Sequence, residues 1–189
     1  RRQVSTQYNK VLQNINKQMV YYDLETVGEM GAAAQNATQL SMRSGEDDFL
    51  TFLKLTGETK KNIETAIAKA RKQEKLTEDE TRDLLNLADI RSTTSKGKTT
   101  ISATHRTWGP NVKLTERLLK EVENGYYLLT NENSNYTNRS DSIASGWKAG
   151  LKKLKIKSNN YTLAGHNIGG FDNRIVMQGG VKLPTEALK

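Results

Sequence analysis

The chain has 189 residues, 35% of them hydrophobic, which suits one domain with a modest core beneath a large polar surface. It has no cysteine, which excludes disulfides and thiolate metal sites, and its apolar runs are too short for a membrane span. The formal net charge of +8 favours a polyanionic partner such as nucleic acid, although lysines on solvated helix faces explain it equally well. No secretory signal is recognisable, so we expect a cytoplasmic or virion-associated protein with no membrane partner.

The first informative stretch is a predicted strand that ends in two acids. Residues 1–17 are basic and polar, and we expect an N-terminal arm or a short helix there. Residues 19–27 begin with four apolar or aromatic side chains, as a buried strand does, and then carry Asp23 and Glu25. Side chains at i and i+2 of a strand share a face, so these acids should form a carboxylate pair. Two carboxylates this close repel each other unless a cation lies between them. Their hard oxygen ligands suit Mg²⁺ or Mn²⁺.

The next segment is predicted as a loop followed by a charged helical insertion. Residues 28–45 are small and polar, which predicts a loop, with a short strand over 37–42 as the alternative. The insertion is expected over about 46–90. It should begin with a short amphipathic helix, indicated by four apolar side chains at positions 49, 50, 52 and 53. A second helix is predicted over 60–75, and a capping box at Thr77 opens a third.

A Ser/Thr-rich stretch follows, and it predicts a hairpin centred on Lys96–Gly97. His105, Arg106 and Trp108 cluster at the end of this hairpin. An arginine and a tryptophan together can neutralise and stack on a single nucleic-acid strand. Half-buried packing is the alternative interpretation of the same cluster.

The second half of the chain predicts two more helices and another strand. One helix is expected over 112–123, with residues 126–129 as its end or as a short strand. An Asn-rich loop should cover 131–140, and the apolar stripe of residues 141–154 predicts a helix that packs on the sheet.

The last predicted strand, residues 161–164, leads into a second polar motif. Gly165 ends the strand, His166 and Asn167 follow, and Phe171–Asp172 opens a helix that the Gly–Gly step at 179–180 closes. Polar side chains at the carboxyl end of a strand are where α/β folds keep their sites. An acid that merely favours the start of a helix is the alternative interpretation of Asp172.

Together these two motifs resemble those of a nuclease family. Tyr22-Asp23-Leu24-Glu25-Thr26, followed by Gly165-His166-Asn167, three residues and Phe171-Asp172, is similar to the first and second motifs of the DEDD, or DnaQ-like, 3′–5′ exonucleases. The resemblance covers about thirty residues directly. It implies an α/β, ribonuclease-H-like mixed sheet flanked by helices, here with the helical insertion. The domain would occupy residues 18–189.

The resemblance also implies a two-metal site for Mg²⁺ or Mn²⁺ and a function for each matched residue. Asp23, Glu25 and Asp172 would be the catalytic metal ligands. The substrate would be the 3′ end of single-stranded DNA or RNA, and the side chains expected to line it are Leu24, Thr26, His166, Asn167 and Phe171.

The chain departs from the family pattern in two respects. The two motifs lie unusually far apart, which is consistent with an insertion. The residues after Asp172 hold no Asp, His or Tyr, so the family's last motif, with its general base and fourth acid, is absent. We therefore expect a domain that is incomplete at its C-terminus. The alternative is an inactive exonuclease-like module, a structural or binding component of a replication or phage assembly. A third interpretation treats the motifs as chance on a basic α/β domain.

Overall fold

A computed structural model describes residues 5–8, 19–28, 36–132, 135–157, 161–165 and 172–184. They form an α/β fold in which helices flank a mixed parallel and antiparallel sheet. The strands are β1 (Met19–Thr26), β2 (Ala37–Ser44), β3 (Asp47–Leu53), β4 (Ile90–Ser95), β5 (Lys98–Ala103), β6 (Arg139–Ser140) and β7 (Thr162–Ala164). The helices are α1 (Gly57–Arg71), α2 (Glu78–Ala88), α3 (Glu116–Thr130), α4 (Ile143–Lys153) and α5 (Asn173–Gln178). Within these ranges, no helix has the length and apolar character that crossing a bilayer requires.

Five of the described strands form one sheet in the order β6-β3-β2-β1-β7, and β4 and β5 form a separate ribbon. β1, β2 and β3 make an antiparallel meander, whereas β7 joins β1 and β6 joins β3 in parallel. A parallel neighbour requires a crossover connection, and the long segment between β3 and β7 supplies it. β1 is therefore an inner strand, with β2 on one side and β7 on the other.

The first core lies on one face of this sheet, beneath α4 and α5. Tyr22 and Leu24 of β1 face it, together with Trp147 of α4. The rings of Tyr22 and Trp147 meet edge to face with centroids 4.9 Å apart, a geometry that adds about 0.5–1.5 kcal/mol beyond burial. Gly150 lets α4 approach the sheet this closely, because a Cβ there would clash with the side chains of Met42 and Phe49.

The second core joins the sheet to what we call the inserted subdomain, residues 57–130. Phe52 of β3 and Val27, just after β1, enter this core beside Leu87 of α2 and Ile101 of β5. Phe52 is paired with Gln39, which is paired with Glu25, so this core borders the sheet face that carries the acids. The insertion therefore packs against the sheet next to the first motif.

Several predicted elements are confirmed. The hairpin turns at Lys96 and Gly97, whose φ angles of 53° and 77° are those of a type I′ turn. Thr77 caps α2 in a complete capping box with Glu80. The helix expected over residues 141–154 is α4, and it packs on the sheet as expected.

One prediction was wrong, and two others are settled in favour of one of their alternatives. The short amphipathic helix expected at positions 49–53 is instead β3, because Phe49 and Phe52 pair with Met42 and Gln39 of β2. The strand offered as the alternative over 37–42 is confirmed as β2, which is longer than expected and spans Ala37–Ser44. Residues 126–129, predicted as a helix end or a short strand, are a helix end, since they lie in the C-terminal part of α3, which ends at Thr130.

A candidate carboxylate site

The first acidic motif lies on the sheet face opposite the first core. Along β1 buried and exposed residues alternate, so Asp23 and Glu25 project together from the exposed face while Tyr22 and Leu24 are buried. The carboxylate pair predicted from the i, i+2 spacing is thus on one face of the strand. Tyr21 shares that face and leaves 47% of its surface exposed.

Asp172 meets this strand where β7 ends. β7 pairs with β1 only as far as Ala164, which lies opposite Tyr21, whereas β1 continues to Thr26. Backbone groups on that edge of β1 need other partners beyond this point. Asp172, at the start of α5, provides one, because its carboxylate accepts the backbone N–H of Leu24. This bond docks the second motif between the two acids of the first.

The negative charges of the first motif raise the affinity of Asp172 for protons. Burial, followed by the charges of Asp23 and Glu25, raises the pKa of Asp172 to about 6, although the hydrogen bond from the Leu24 N–H lowers it. Burial and then Asp23 also raise the pKa of Glu25, while His105 lowers it. A bound cation would relieve this repulsion.

A second bond fixes the start of α5 from the core side. The Tyr22 phenol donates to Oδ1 of Asn173 at 2.5 Å. Burial, reinforced by the nearby charge of Asp172, raises the pKa of that phenol, so it remains protonated and able to donate. Adjacent residues 172 and 173 are therefore both hydrogen-bonded to β1.

Glu25 borders a small cleft of about 100 Å³ between the sheet and the inserted subdomain. Thr26 and Gln39 line the sheet side, and Thr104 and His105, which follow β5, line the other. A groove of about 1000 Å³ lies elsewhere, between the α1–α2 turn and residues 108–114, and none of the three carboxylates lines it. This groove is therefore separate from the candidate carboxylate site.

The inserted subdomain also holds the end of β1 in place. Asp83 of α2 accepts the backbone N–H of Gly28 at 3.1 Å. Thr59 of α1 donates to Oδ1 of Asn36 at 2.8 Å, and the Asn36 amide in turn donates to the carbonyl of Val27 at 2.7 Å. These buried bonds fix the chain immediately after Glu25.

The expected substrate-lining residues are placed as follows. The side chain of Leu24 is buried in the first core, on the face opposite Asp23, so only its backbone reaches the site. Thr26 is half-buried beside Glu25 in the small cleft. The remaining three, His166, Asn167 and Phe171, lie outside the described residues.

The cluster at the end of the hairpin divides into two parts. The Arg106 guanidinium lies 4.4 Å from the ring centre of Trp108, and its Nε donates to Asp89 at 2.6 Å. Its Nη1 donates to Glu121 at 3.1 Å. These contacts favour the packing interpretation for Arg106 and Trp108. Of the three, only His105 lies near Glu25: both line the same cleft, and His105 lowers the pKa of Glu25, a long-range proximity that no local sequence pattern could indicate.

The donor chemistry of the site fits Mg²⁺ or Mn²⁺, since carboxylate oxygens are the ligands that hard divalent cations take. The mutual repulsion of Asp23, Glu25 and Asp172 fits a cation as well. Across the described ranges, however, no three acidic, histidine or cysteine side chains already form a group that could hold a metal ion. The acids would have to draw closer on binding.

Comparison with known proteins gives no assignment, because no family model, no curated protein and no solved structure matches this chain.

Proposed function

We propose that this chain is a metal-dependent 3′–5′ exonuclease domain that hydrolyses phosphodiester bonds at the ends of single-stranded DNA or RNA. The observation that carries the proposal is the position of Asp172, whose carboxylate accepts the Leu24 N–H between Asp23 and Glu25. Either motif alone would equally fit a strand with exposed acids or a helix with an acidic start. Acids from both ends of the chain at one place are what a shared catalytic site requires.

The architecture of the sheet supports the same proposal. The order β3-β2-β1-β7, with β1 antiparallel to β2 and parallel to β7, is compatible with a ribonuclease-H-like sheet. Helices α4 and α5 cover one face, and Asp23 and Glu25 project from the other. The inserted subdomain borders this second face through Glu25 and so forms one wall of the site.

Each acid has a defined part in the proposed reaction. Asp23, Glu25 and Asp172 would hold Mg²⁺ or Mn²⁺, and the bound metal would neutralise phosphate charge and acidify a water. In the hydrolysis, the water oxygen bonds to the terminal phosphorus and the bond from phosphorus to the preceding 3′ oxygen breaks. That oxygen takes up a proton, and a nucleoside 5′-monophosphate leaves.

Two further side chains on the same face suit a nucleotide. The exposed ring of Tyr21, two residues before Asp23, offers a surface on which a base can stack. Thr26 lies beside Glu25 with a hydroxyl that can bond a phosphate or sugar oxygen. The net charge of +8 attracts such a substrate.

A specific observation favours a second candidate, an exonuclease-like module without activity. Within the described part of the chain the three acids do not form a group that could hold a metal ion. In addition, Asp172 is buried and already accepts a backbone hydrogen bond. Such a domain would use the fold to bind nucleic acid or other chains of a replication or virion assembly.

The deciding experiment is a degradation assay on the full-length protein with single strands labelled at the 3′ or the 5′ end. DNA and RNA are tested in parallel with Mg²⁺, Mn²⁺ or EDTA. We expect metal-dependent shortening from the 3′ end that Asp23→Ala abolishes and that the exposed control Asp141→Ala retains. Strands that stay intact in every lane would reject the exonuclease and favour the inactive module. Activity retained in Asp23→Ala would reject the site assignment.

A further inference from the structure

The β4–β5 hairpin lies in a 26-residue stretch of the chain without an acid. Between Asp89 and Glu116 there is no Asp or Glu, whereas five Lys and Arg residues occur. Arg106 and Arg91 contribute to ion pairs with Glu121, so their charge is offset. Lys96 and Lys98, at the tip, make no ion pair with any described residue. The ribbon therefore presents positive charge that the protein does not neutralise itself.

The outward face of the ribbon consists entirely of hydrogen-bonding side chains. Register pairs alternate in direction, and the pair Ser92–Ile101 turns inward with Ile101 in the second core. The three outward pairs are Arg91–Ser102, Thr93–Thr100 and Ser95–Lys98. All six of these residues are exposed.

The ribbon is a fixed surface rather than a free hairpin. An isolated two-stranded hairpin is marginal in water. Here Ile90 and Ile101 anchor both strands in the second core. Residues 136–138 add a third backbone segment, because the N–H of Thr137 donates to the carbonyl of Thr99 at 3.0 Å. The hydroxyls and lysines are thus held in place before a ligand arrives.

The ribbon also leads to the carboxylates. After β5 ends at Ala103, the chain continues directly into Thr104 and His105, which line the cleft beside Glu25. At about 3.4 Å per residue, the path along β5 from Lys98 to Ala103 is roughly 17 Å. The backbone of β5 therefore connects the basic tip directly to the residues that line the cleft beside Glu25.

We propose that the outward face of the β4–β5 ribbon binds the phosphate backbone of a single nucleic-acid strand and directs its end to the carboxylate site. Lys96 and Lys98 would neutralise phosphates, and the Ser and Thr hydroxyls would donate to phosphate oxygens. The absence of acids and of outward apolar side chains favours a nucleic acid over a protein partner. The direction of the strand rests on the proposed exonuclease function, but its binding does not.

The test measures binding without cleavage. The anisotropy of a fluorescein-labelled single-stranded 20-mer, as DNA and as RNA, is followed in EDTA from 50 to 200 mM NaCl. The double variant Lys96→Asn/Lys98→Gln removes both charges, and Asn tolerates the positive φ at position 96. The control Lys152→Gln/Lys153→Gln removes two exposed charges from α4, which packs on the other face of the sheet.

We expect the ribbon variant to bind roughly 20-fold more weakly than the wild type at 0.1 M salt. The slope of log K against log[salt] should become shallower by about 1.4, because each of the two lost phosphate contacts contributes about 0.7. In the control variant, the loss of binding free energy and the change in slope should each be less than a third of those in the ribbon variant. Equal losses in both variants, no loss in the ribbon variant, or no binding by the wild type would each overturn the inference. Polyglutamate competing as well as unlabelled DNA would also overturn it, since the ribbon would then be a general polyanion surface.

These outcomes separate the inference from the proposed function. Ribbon-dependent binding without any degradation would leave the strand-binding surface standing and reject the exonuclease. Degradation that depends on Asp23, together with strand binding that is unchanged in the ribbon variant, would support the exonuclease and reject the strand-binding surface.

Discussion

Tyr22 donates a hydrogen bond to Asn173, 151 positions later in the chain, and so attaches the start of α5 to the strand that carries the first acidic motif. The next residue back, Asp172, accepts the N–H of Leu24. Asp172, the last residue of the second motif, and Asn173, which follows it, are therefore both hydrogen-bonded to the first motif. Tyr22 bonds through its side chain and Leu24 through its backbone. The position of Asp172 relative to Asp23 depends on both bonds.

Replacing the donor tests this attachment. Tyr22→Phe keeps the buried ring against Trp147 but leaves the Asn173 carbonyl without its phenol donor, which should lower the free energy of unfolding by about 1–2 kcal/mol. Because Asp172 would shift against Asp23, the rate of 3′ trimming should fall by about tenfold or more. Urea unfolding and initial rates on a labelled strand measure the two effects.

Tyr161→Phe is the matched control. It removes the acceptor of the Trp147 indole N–H, a 3.0 Å bond in the same core. Among the described residues, the Tyr161 hydroxyl has no hydrogen bond to α5. We expect a similar loss of stability and an unchanged trimming rate. A rate that falls equally in both variants would mean that stability, not the placement of Asp172, limits activity.

Because the pKa of Asp172 is raised, replacing this carboxylate by a neutral side chain should stabilise the protein by an amount that depends on pH. The folded-state pKa of about 6 exceeds the ordinary 3.8, so the proton-linked stability is fully present below pH 3.8 and is lost as pH rises through about 6. Without metal at pH 7.5, the ionised group should therefore cost up to about 3 kcal/mol. Asp172→Asn, which keeps an acceptor for the Leu24 N–H, should be more stable there by up to that amount.

Urea unfolding in EDTA at pH 4, 6 and 7.5 measures this effect. The advantage of Asp172→Asn should be near zero at pH 4 and largest at pH 7.5. Asp141→Asn, at an exposed carboxylate, should unfold like the wild type at every pH. A difference that does not change with pH would contradict the assigned burial and repulsion at Asp172.

Local patterns were sufficient for the elements that carry the acids. Alternation of buried and exposed side chains put Asp23 and Glu25 on one face of β1, and the Gly–Gly step marked the end of α5. Both rest on short-range geometry that the residues themselves impose. The hairpin turn at Lys96–Gly97 is of the same kind, because a type I′ turn needs two residues with positive φ.

Where tertiary partners decide, the sequence was ambiguous. Apolar residues at 49, 50, 52 and 53 fit a helical stripe and also a strand, and only pairing of Phe52 with Gln39 selects β3. The contact of His105 with the Glu25 cleft depends on how the inserted subdomain packs. The same holds for Arg106, whose partners Asp89 and Glu121 come from different elements.

The support that the inserted subdomain gives to β1 is testable with an isosteric change. Thr59→Val removes the hydroxyl that donates to Asn36, at a site only 4% exposed, and leaves a buried amide oxygen unpaired. We expect a loss of about 1–3 kcal/mol in the free energy of unfolding, together with slower trimming, because the chain after Glu25 loosens. Thr65→Val, on the exposed side of the same helix, should change neither by a measurable amount. Equal effects of both would show that helix α1, not the bond to Asn36, determines the result.

Metal binding by the three acids should appear as a thermal shift, independent of any assay of activity. At a Mn²⁺ concentration 100 times its dissociation constant, the folded protein gains about 2.7 kcal/mol, which for a chain of this size corresponds to roughly 5–10 °C in Tm. Asp23→Ala should remove most of this shift, whereas Asp141→Ala should retain it. Because the acids must be ionised to bind, the shift should shrink between pH 7.5 and pH 5, on either side of the Asp172 pKa of about 6. A wild-type protein that shows no shift at pH 7.5 would favour the inactive module, since the acids would then repel one another without a cation between them.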